Sequence, residues 1–328
     1  MDRLPNLASL RTAADLVHRV MPSTPALRWP LLCERAAAEV WVKHENHSPV
    51  GAFKLRGGLV YFDELKRREP SLTGVIAATR GNHGQSIAYC ARLHGLPATI
   101  VVPHGNSREK NAAMRALGAE LIESGDDFQA AFEHAAHVAS ERSHHFVPSF
   151  EELLVCGVAT AYLELFESVP GLDALYVPIG LGSGICGAMA ACAALNLTTE
   201  IVGVVSANAP AYARSFQARQ PIAATVAPTI ADGMACRVPD PRALGHILAG
   251  VARIVTVDEA EIRAAMRHLF TDTHNVAEGA GAASLAALLQ ERELRRGRRV
   301  AVVLTGGNVD AGIFAEVLSG NGESATVS

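Results

Sequence analysis

Two stretches carry residues whose types and spacing could do chemistry. In PVGAFKLRGG (49–58), Lys54 lies among Val50, Ala52, Phe53 and Leu55, with glycines at 51, 57 and 58. Apolar neighbours depress an ammonium pKa and leave a nucleophilic amine at neutral pH, the kind that forms Schiff bases. In PIGLGSGICG (178–187), an apolar run ends in Gly180, Gly182 and Gly184 before a helical pattern. Such glycines let successive backbone N–H groups turn toward one point, and the helix adds the positive end of its dipole. That is a phosphate cradle, although neither a G-K-[ST] loop nor the dinucleotide pattern G-x-G-x-x-G. Taken alone, each stretch has a plainer reading: an exposed lysine opening a helix, and tight strand–helix packing. Together they suit a phosphorylated aldehyde, which is pyridoxal phosphate.

Two further loops complete the candidate set. ATRGNHGQ (78–85) offers a turn and a helix N-terminus whose N–H groups could take a carboxylate. In it, the Asn82 amide could contact a ring hydroxyl, while His83 also reads as an ordinary polar residue at a helix start. LTGGN (304–308) places Thr305 where a neutral hydroxyl could meet a ring nitrogen; a carboxylate there would keep that nitrogen protonated.

The elements around these loops follow one rhythm: strand, glycine-containing turn, helix. GVIAAT (74–79), PATIVVP (97–103) and AELIES (119–124) read as strands. They alternate with helical patterns in QSIAYCARLHG, SREKNAAMRALG and DDFQAAFEHAAHVASER. Ser107 is the N-cap candidate of the second helix and Gly118 its terminator. A second series has strands at ALYVPIG (174–180), TEIVGVVS (199–206), RIVTV and RVAVVL, with helices in ICGAMAACAAL and DEAEIRAAMRHLF. Strands alternating with helices of this length predict βαβ units on parallel sheets. Three strands end in glycine and small polar residues: after Thr79, Ile179 and Leu304. Ligands of open α/β sheets bind at such carboxyl ends. The tail SGNGESATVS is expected to fray.

Five motifs in this order resemble the fold-type II pyridoxal-phosphate enzymes, the tryptophan-synthase-β-like superfamily. Within it the chain is most similar to serine/threonine dehydratases and serine racemase. The motifs are KHENHSPVGAFKLRGG, RGNHGQS, PIGLGSGICG, TIADGMA, and AEGAGAASLAAL with LTGGN, and the likeness spans roughly residues 20 to 315. The resemblance implies an α/β fold of two open-twisted subdomains with mostly parallel sheets and the cofactor in the cleft between them. Residues 1–50 and 149–328 would form the large cofactor-binding domain. Residues 51–148 would form the small substrate-carboxylate domain, with Lys54 at the border. Lys54 would anchor pyridoxal 5'-phosphate and act as the base at Cα. Phe53 would lie beside the ring, Asn82 would bond its 3-hydroxyl, and Thr305 would face its nitrogen. Gly180, Leu181, Gly182, Ser183 and Gly184 would hold the phosphate. Arg80, Gly81, Asn82 and His83 would take the substrate carboxylate, and Glu278 would lie near the cofactor.

The implied activity is that of an ammonia-lyase (dehydratase) turning a β-hydroxy amino acid, foremost L-threonine or L-serine, into a 2-oxo acid and ammonia. The alternatives are dehydration of a less common 3-hydroxy amino acid such as a hydroxyaspartate, or racemisation; a non-catalytic relative would not need Lys54. Departures from the family pattern bear on this choice. Ala52 replaces a usual serine, and Leu181 and Ser183 interrupt the usual run of glycines. Arg80 stands where racemases carry serine and dehydratases commonly alanine. A permanently charged guanidinium does not readily exchange a proton, which argues against racemisation. Val205 and Ala211 stand where metal-activated members carry carboxylates, so no metal site of that type is expected.

Bulk composition agrees. The 328 residues are 49% hydrophobic and 19% charged with a net charge of −4, which suits a compact globule and offers no electrostatic footprint for nucleic acid. The basic run RELRRGRR (292–299) reads as a solvated helix end before a strand. Six scattered cysteines without a C-x-x-C pair fit reduced thiols in a cytoplasmic setting. No apolar run approaches a membrane span, and the N-terminus lacks the apolar region of a signal peptide. The expected partner is a small amino-acid substrate, with a homodimer as the family habit.

Overall fold

The computed structural model describes residues 4–320. Most of the tail expected to fray, from residue 321 on, lies outside the described residues. Ten strands run in chain order: β1 Ala26–Arg28, β2 Glu39–His44, β3 Val75–Ala78, β4 Ala98–Val102, β5 Glu120–Glu123, β6 His145–Phe146, β7 Ala174–Pro178, β8 Glu200–Ser206, β9 Arg253–Val257 and β10 Arg299–Leu304. They form two sheets. The larger has the order β1-β2-β10-β7-β8-β9 and the smaller β5-β4-β3-β6. All pairings are parallel except β1 with β2. The α/β class with mostly parallel sheets is therefore the one the sequence rhythm predicts.

Central strands explain why the periodicity reads as short apolar runs. Every residue of β3, β4 and β7 is buried. Parallel sheets are covered by helices on both faces, so their strands lose the polar alternation of a half-exposed sheet. The helices pressed on them are built from small residues: Ser183–Ala194 and Gly279–Gln290 are buried over most of their length.

Strand order fixes where a ligand can sit. In the smaller sheet the chain goes from β3 outward through β4 to β5, then returns to β6 on the other side of β3. In the larger sheet it goes from β7 through β8 to β9, and β10 falls on the other side of β7. Crevices open at such reversals, beyond the strand carboxyl ends. The loops after β3, β7 and β10 are the three glycine-bearing loops of the sequence.

The helix Lys54–Arg68 lies between the sheets, against the helices Asn82–Leu93 and Glu152–Ser168. Its contact with Glu152–Ser168 is backbone on backbone: a Cβ on Gly157 would fall 2.2 Å from the Arg56 carbonyl oxygen. Only glycine permits that approach. Arg56, on the same first turn, is wholly buried. It donates to Glu45 Oε2 at 2.7 Å, Glu164 Oε1 at 2.7 Å, Glu164 Oε2 at 2.8 Å and Thr160 Oγ1 at 3.0 Å. Lys43 donates to Glu164 Oε2 at 2.5 Å and to the Thr24 carbonyl at 2.8 Å.

Two local expectations need correction. The helix after β3 begins at Asn82, not at Gln85, so Asn82 and His83 belong to its first turn. The basic run 292–299 is not uniformly solvated. Arg295 is buried and donates to Tyr176 Oη at 2.8 Å and Glu200 Oε2 at 2.6 Å, because Tyr176 in β7 and Glu200 in β8 lie beneath it.

Candidate active site

Lys54 is the first residue of its helix, so the plainer reading of a lysine opening a helix is correct as to place. It is not correct as to exposure. Burial lowers the Lys54 pKa from 10.5 to about 8. At pH 7 about a tenth of such amines are uncharged, roughly 300-fold more than for a surface lysine. Nζ donates to Ser183 Oγ at 2.9 Å and lies 5.0 Å from the centre of the Phe53 ring. The Lys54 carbonyl accepts from Ser86 Oγ at 2.9 Å, and the Phe53 N–H donates to the Thr305 carbonyl at 2.9 Å. The first turn carrying the lysine is thus tied to both the asparagine loop and the loop after β10. Ala52 pairs with Gly306 as an isolated bridge and exchanges two bonds with Ser48 Oγ, a role the sequence did not disclose.

The glycine loop turns into the helix Ser183–Ala194 through Gly182, whose φ of +106° belongs to glycine. No side chain caps this helix, so its first-turn N–H groups are left for a ligand. Gly180 and Leu181 precede the turn, and the Leu181 carbonyl is pinned by Tyr212 Oη at 3.0 Å. The Phe53 ring lies 3.6 Å from a Cβ position on Gly184.

Asn82 is oriented by two partners. Its Nδ2 donates to Glu278 Oε1 at 2.6 Å, and its Oδ1 accepts from Asn308 Nδ2 at 2.9 Å. One Nδ2 hydrogen therefore remains for a ligand hydroxyl. Glu278 is buried and holds its place at the N-terminus of the helix Gly279–Gln290. Burial pushes its carboxyl above the ordinary range, opposed by Lys110 and reinforced by Asp232. Lys110 Nζ stands 2.7 Å from Asp232 Oδ2 and 3.2 Å from Glu278 Oε2. The second contact is an ion pair without hydrogen-bond alignment, since Oε2 has no hydrogen-bond partner.

The remaining expected residues divide. Gly81 N–H donates to Thr79 Oγ1 at 3.0 Å, closing the turn. The His83 side chain is buried, and Nε2 donates to the Pro148 carbonyl at 3.1 Å. Burial and the nearby Lys54 bring its pKa to about 3, so the ring is neutral. Arg80 is half-buried with no hydrogen bond or ion pair among the described residues. Thr305 is buried beside the lysine turn. Val205 and Ala211 are buried apolar residues, and among the described residues no group of three His, Cys, Asp or Glu could hold a metal ion. Lys110 and Arg56 were missed by sequence reading. Asp232, within TIADGMA, was flagged only as part of a motif.

These residues fit a phosphorylated aldehyde. An uncapped helix end offers N–H groups for the phosphate, and an amine of lowered pKa stands 2.9 Å from its first residue. The pyridoxal-phosphate dependent enzyme family matches residues 19–306. The L-threonine ammonia-lyase of Thermotoga maritima is 33% identical over 94% of this chain and 76% of its own length. The L-threo-3-hydroxyaspartate ammonia-lyase of Saccharomyces cerevisiae is 30% identical over 99% of both chains. Among solved structures, maize serine racemase superposes with a TM-score of 0.90 at 25% identity, covering 97% of this chain and 98% of its own. With the fold, the lysine and the loops in place, the chain belongs to the fold-type II pyridoxal-phosphate dependent enzymes, in the serine/threonine dehydratase family.

Proposed function

We propose that this enzyme is an ammonia-lyase that converts L-threonine or L-serine into a 2-oxo acid and ammonia. The observation that carries the reading is the Lys54 amine, of lowered pKa, 2.9 Å from the first residue of the uncapped helix after the glycine loop. Curated relatives of about 30% identity that bear ammonia-lyase names support the reaction class. We take residues 51–148 as the small unit, facing a large unit of residues 1–50 and 149–328 across the cleft. We take the protein to be a homodimer in the cytoplasm, a reducing setting that fits the six free cysteines; no described helix is long and apolar enough to cross a membrane.

Bound pyridoxal phosphate supplies an electron sink that acidifies the Cα–H of the attached amino acid. The chain supplies the rest. The first-turn N–H groups at 183–184 and the Ser183 hydroxyl would hold the phosphate. Asn82 would keep the ring hydroxyl in register through its free Nδ2 hydrogen. Thr305 would offer the ring nitrogen a neutral hydroxyl, a partner that would not hold a proton on it. The loop Arg80–His83 takes the substrate carboxylate on its backbone, since the His83 side chain is committed to Pro148. Lys54 would take the Cα proton, which would leave with the β-hydroxyl as water, and hydrolysis of the resulting enamine by a second water would yield the oxo acid and ammonia.

A second reading has its own support. Arg80 beside the carboxylate loop has no partner among the described residues, and its planar fork suits a second carboxylate. A 3-hydroxy dicarboxylic amino acid would supply one. The deciding experiment is an oxo-acid release screen of the purified enzyme across threonine, serine and threo-3-hydroxyaspartate of both hands. Release from threonine or serine supports the first reading, and release from the dicarboxylate alone supports the second. Racemisation without release would sink both.

A further inference from the structure

Lys110 takes no part in the mechanism above, yet it is a buried lysine that reaches across the cleft. Its helix, Arg108–Ala116, belongs to the side of the smaller sheet and is capped by Ser107, whose Oγ accepts from the Lys110 N–H at 3.1 Å. Its ammonium meets Asp232 and Glu278, both on loops of the larger sheet. Neighbouring residues make the same crossing. Ser107 Oγ donates to Asp310 Oδ1, and Glu109 Oε1 accepts from the Ala311 N–H at 2.8 Å. One helix start is therefore fastened to the opposite wall at several points.

The stem of Lys110 has a second contact. A Cβ on residue 81 would lie 2.5 Å from Lys110 Cδ. The lysine thus crosses directly over the turn that leads into Asn82, and its charged end reaches the carboxylate that orients Asn82 at 2.6 Å. Stem on Gly81, ammonium on Glu278 and Glu278 on Asn82 form a closed chain of contacts around the carboxylate loop. Resting on the reading of Arg80–His83 as the substrate-carboxylate loop, we propose that Lys110 is a positioning residue. It holds that loop in its binding geometry without touching the substrate.

The physical argument is one of unbalanced charge. Glu278 is faced by Lys110 from one helix, by Asp232 from the 229–236 loop and by the neutral Asn82. Without the ammonium, two carboxylates remain with no cation between them, and a buried unpaired charge is costly. Glu278 must then take a proton or draw in water, and either change alters its hold on Asn82. A merely stabilising ion pair would lower the melting temperature but leave the loop geometry and the binding of substrate intact.

The test uses holoenzyme carrying Lys110→Met, which keeps the stem and removes the charge. Expected are a KM raised roughly tenfold for the amino acid that the wild type turns over, and a kcat within about threefold. Amide exchange at residues 80–83 should speed up roughly tenfold in both holoenzyme and apoenzyme, with β3 unchanged. Lys110→Arg should recover most of both effects. An unchanged KM, a fall in kcat alone, or unchanged exchange in the loop overturns the proposal. If Lys110→Met does not fold, Lys110→Gln, which removes the charge but keeps a polar end facing Asp232 and Glu278, should raise KM in the same direction, and an unchanged KM there overturns it equally. A wild type that releases no oxo acid from any β-hydroxy amino acid counts against the functional reading instead. The exchange measurement on the loop then decides the role of Lys110 by itself.

Discussion

Arg56 and Glu278 each sit at the centre of a buried charge cluster near the cleft, one beneath the Lys54 turn and one across the asparagine loop. Around Arg56, two cations (Arg56, Lys43) meet two carboxylates (Glu45, Glu164), and the guanidinium also donates to two threonines. Around Glu278, one cation meets two carboxylates, and one carboxylate oxygen has no hydrogen bond. Two glutamates respond in opposite directions. Burial raises the Glu164 carboxyl, but Arg56 and Lys43 outweigh it and bring it to about 2. Burial of Glu278 wins over Lys110 and pushes that carboxyl up. A balanced, fully bonded cluster fixes a helix. An incompletely bonded one beside a ligand loop is held at some cost, and such sites concentrate where function lies.

Lys54 shares a helix turn with Arg56, and its carbonyl accepts from Ser86 on the helix that Asn82 opens; its removal has the largest expected effect. Lys54→Ala should lower oxo-acid release by about a thousandfold or more, at least ~4 kcal/mol of barrier, because the proposed anchor and base vanish together. Far-ultraviolet circular dichroism should remain that of the wild type, since the Arg56 cluster holds the helix. Turnover within tenfold of wild type in the purified variant would take the chemistry away from this lysine.

A matched pair of substitutions tests the comparison itself. Glu164→Gln should destabilise the protein by roughly 3–5 kcal/mol, the usual cost of breaking a buried pair. Glu278→Gln should lie within about 1 kcal/mol of wild type or above it, because it removes a carboxylate already disfavoured by burial. Urea unfolding checks both. Linkage gives the matching pH signs. Glu164, depressed in the fold, contributes stability above its unfolded value that is lost as pH falls toward about 2. Glu278, raised in the fold, costs stability as pH rises past its unfolded value. Equal destabilisation by the two variants would erase the distinction between the clusters.

This contrast also marks what the sequence disclosed. The loops after Thr79, Ile179 and Leu304 were legible because glycines following apolar runs are local signals, and strand order then brought all three to points of reversal. Charge clusters are not local. Arg56 and Glu164 lie 108 residues apart, and Lys110 and Asp232 lie 122 apart, so neither pairing leaves a spacing to read. A lone arginine in FKLRGG and a lone lysine in SREKNAAM look like surface charges. The strand β1, three residues with one partly buried, carries no alternation to detect. The helix Glu152–Ser168 is buried nearly all round, so its apolar residues form no stripe.

The state of the Lys54 amine gives a pH prediction. Only the uncharged amine can attack the cofactor aldehyde. With its pKa lowered to about 8, uptake of pyridoxal phosphate by the apoenzyme should rise about tenfold per pH unit up to about 8 and then level off. Stopped-flow absorbance of the bound cofactor follows this directly. A rate still climbing between pH 9 and 10 would mean an ordinary surface amine, and the burial argument at the helix start would fail.

The smallest expected effect concerns Arg80, the charged residue that opens the asparagine loop and belongs to neither cluster. It is half-buried and unpartnered among the described residues, whereas Arg56 and Lys110 are each held by two carboxylates. A guanidinium without a partner at a cleft either meets water or waits for an anion. Threonine and serine bring only one carboxylate, which under the proposed function goes to the loop backbone, so Arg80→Ala should leave their kcat/KM within about twofold. Hydroxyaspartate brings a second carboxylate, and a charged hydrogen bond to it is worth roughly 1.5 kcal/mol or more, about tenfold in kcat/KM. The measurement is kcat/KM for wild type and Arg80→Ala on all three substrates. Selective loss on the dicarboxylate places the guanidinium on the substrate. Equal large losses on all three would instead make Arg80 a structural part of the loop and ally it with the Glu278 cluster.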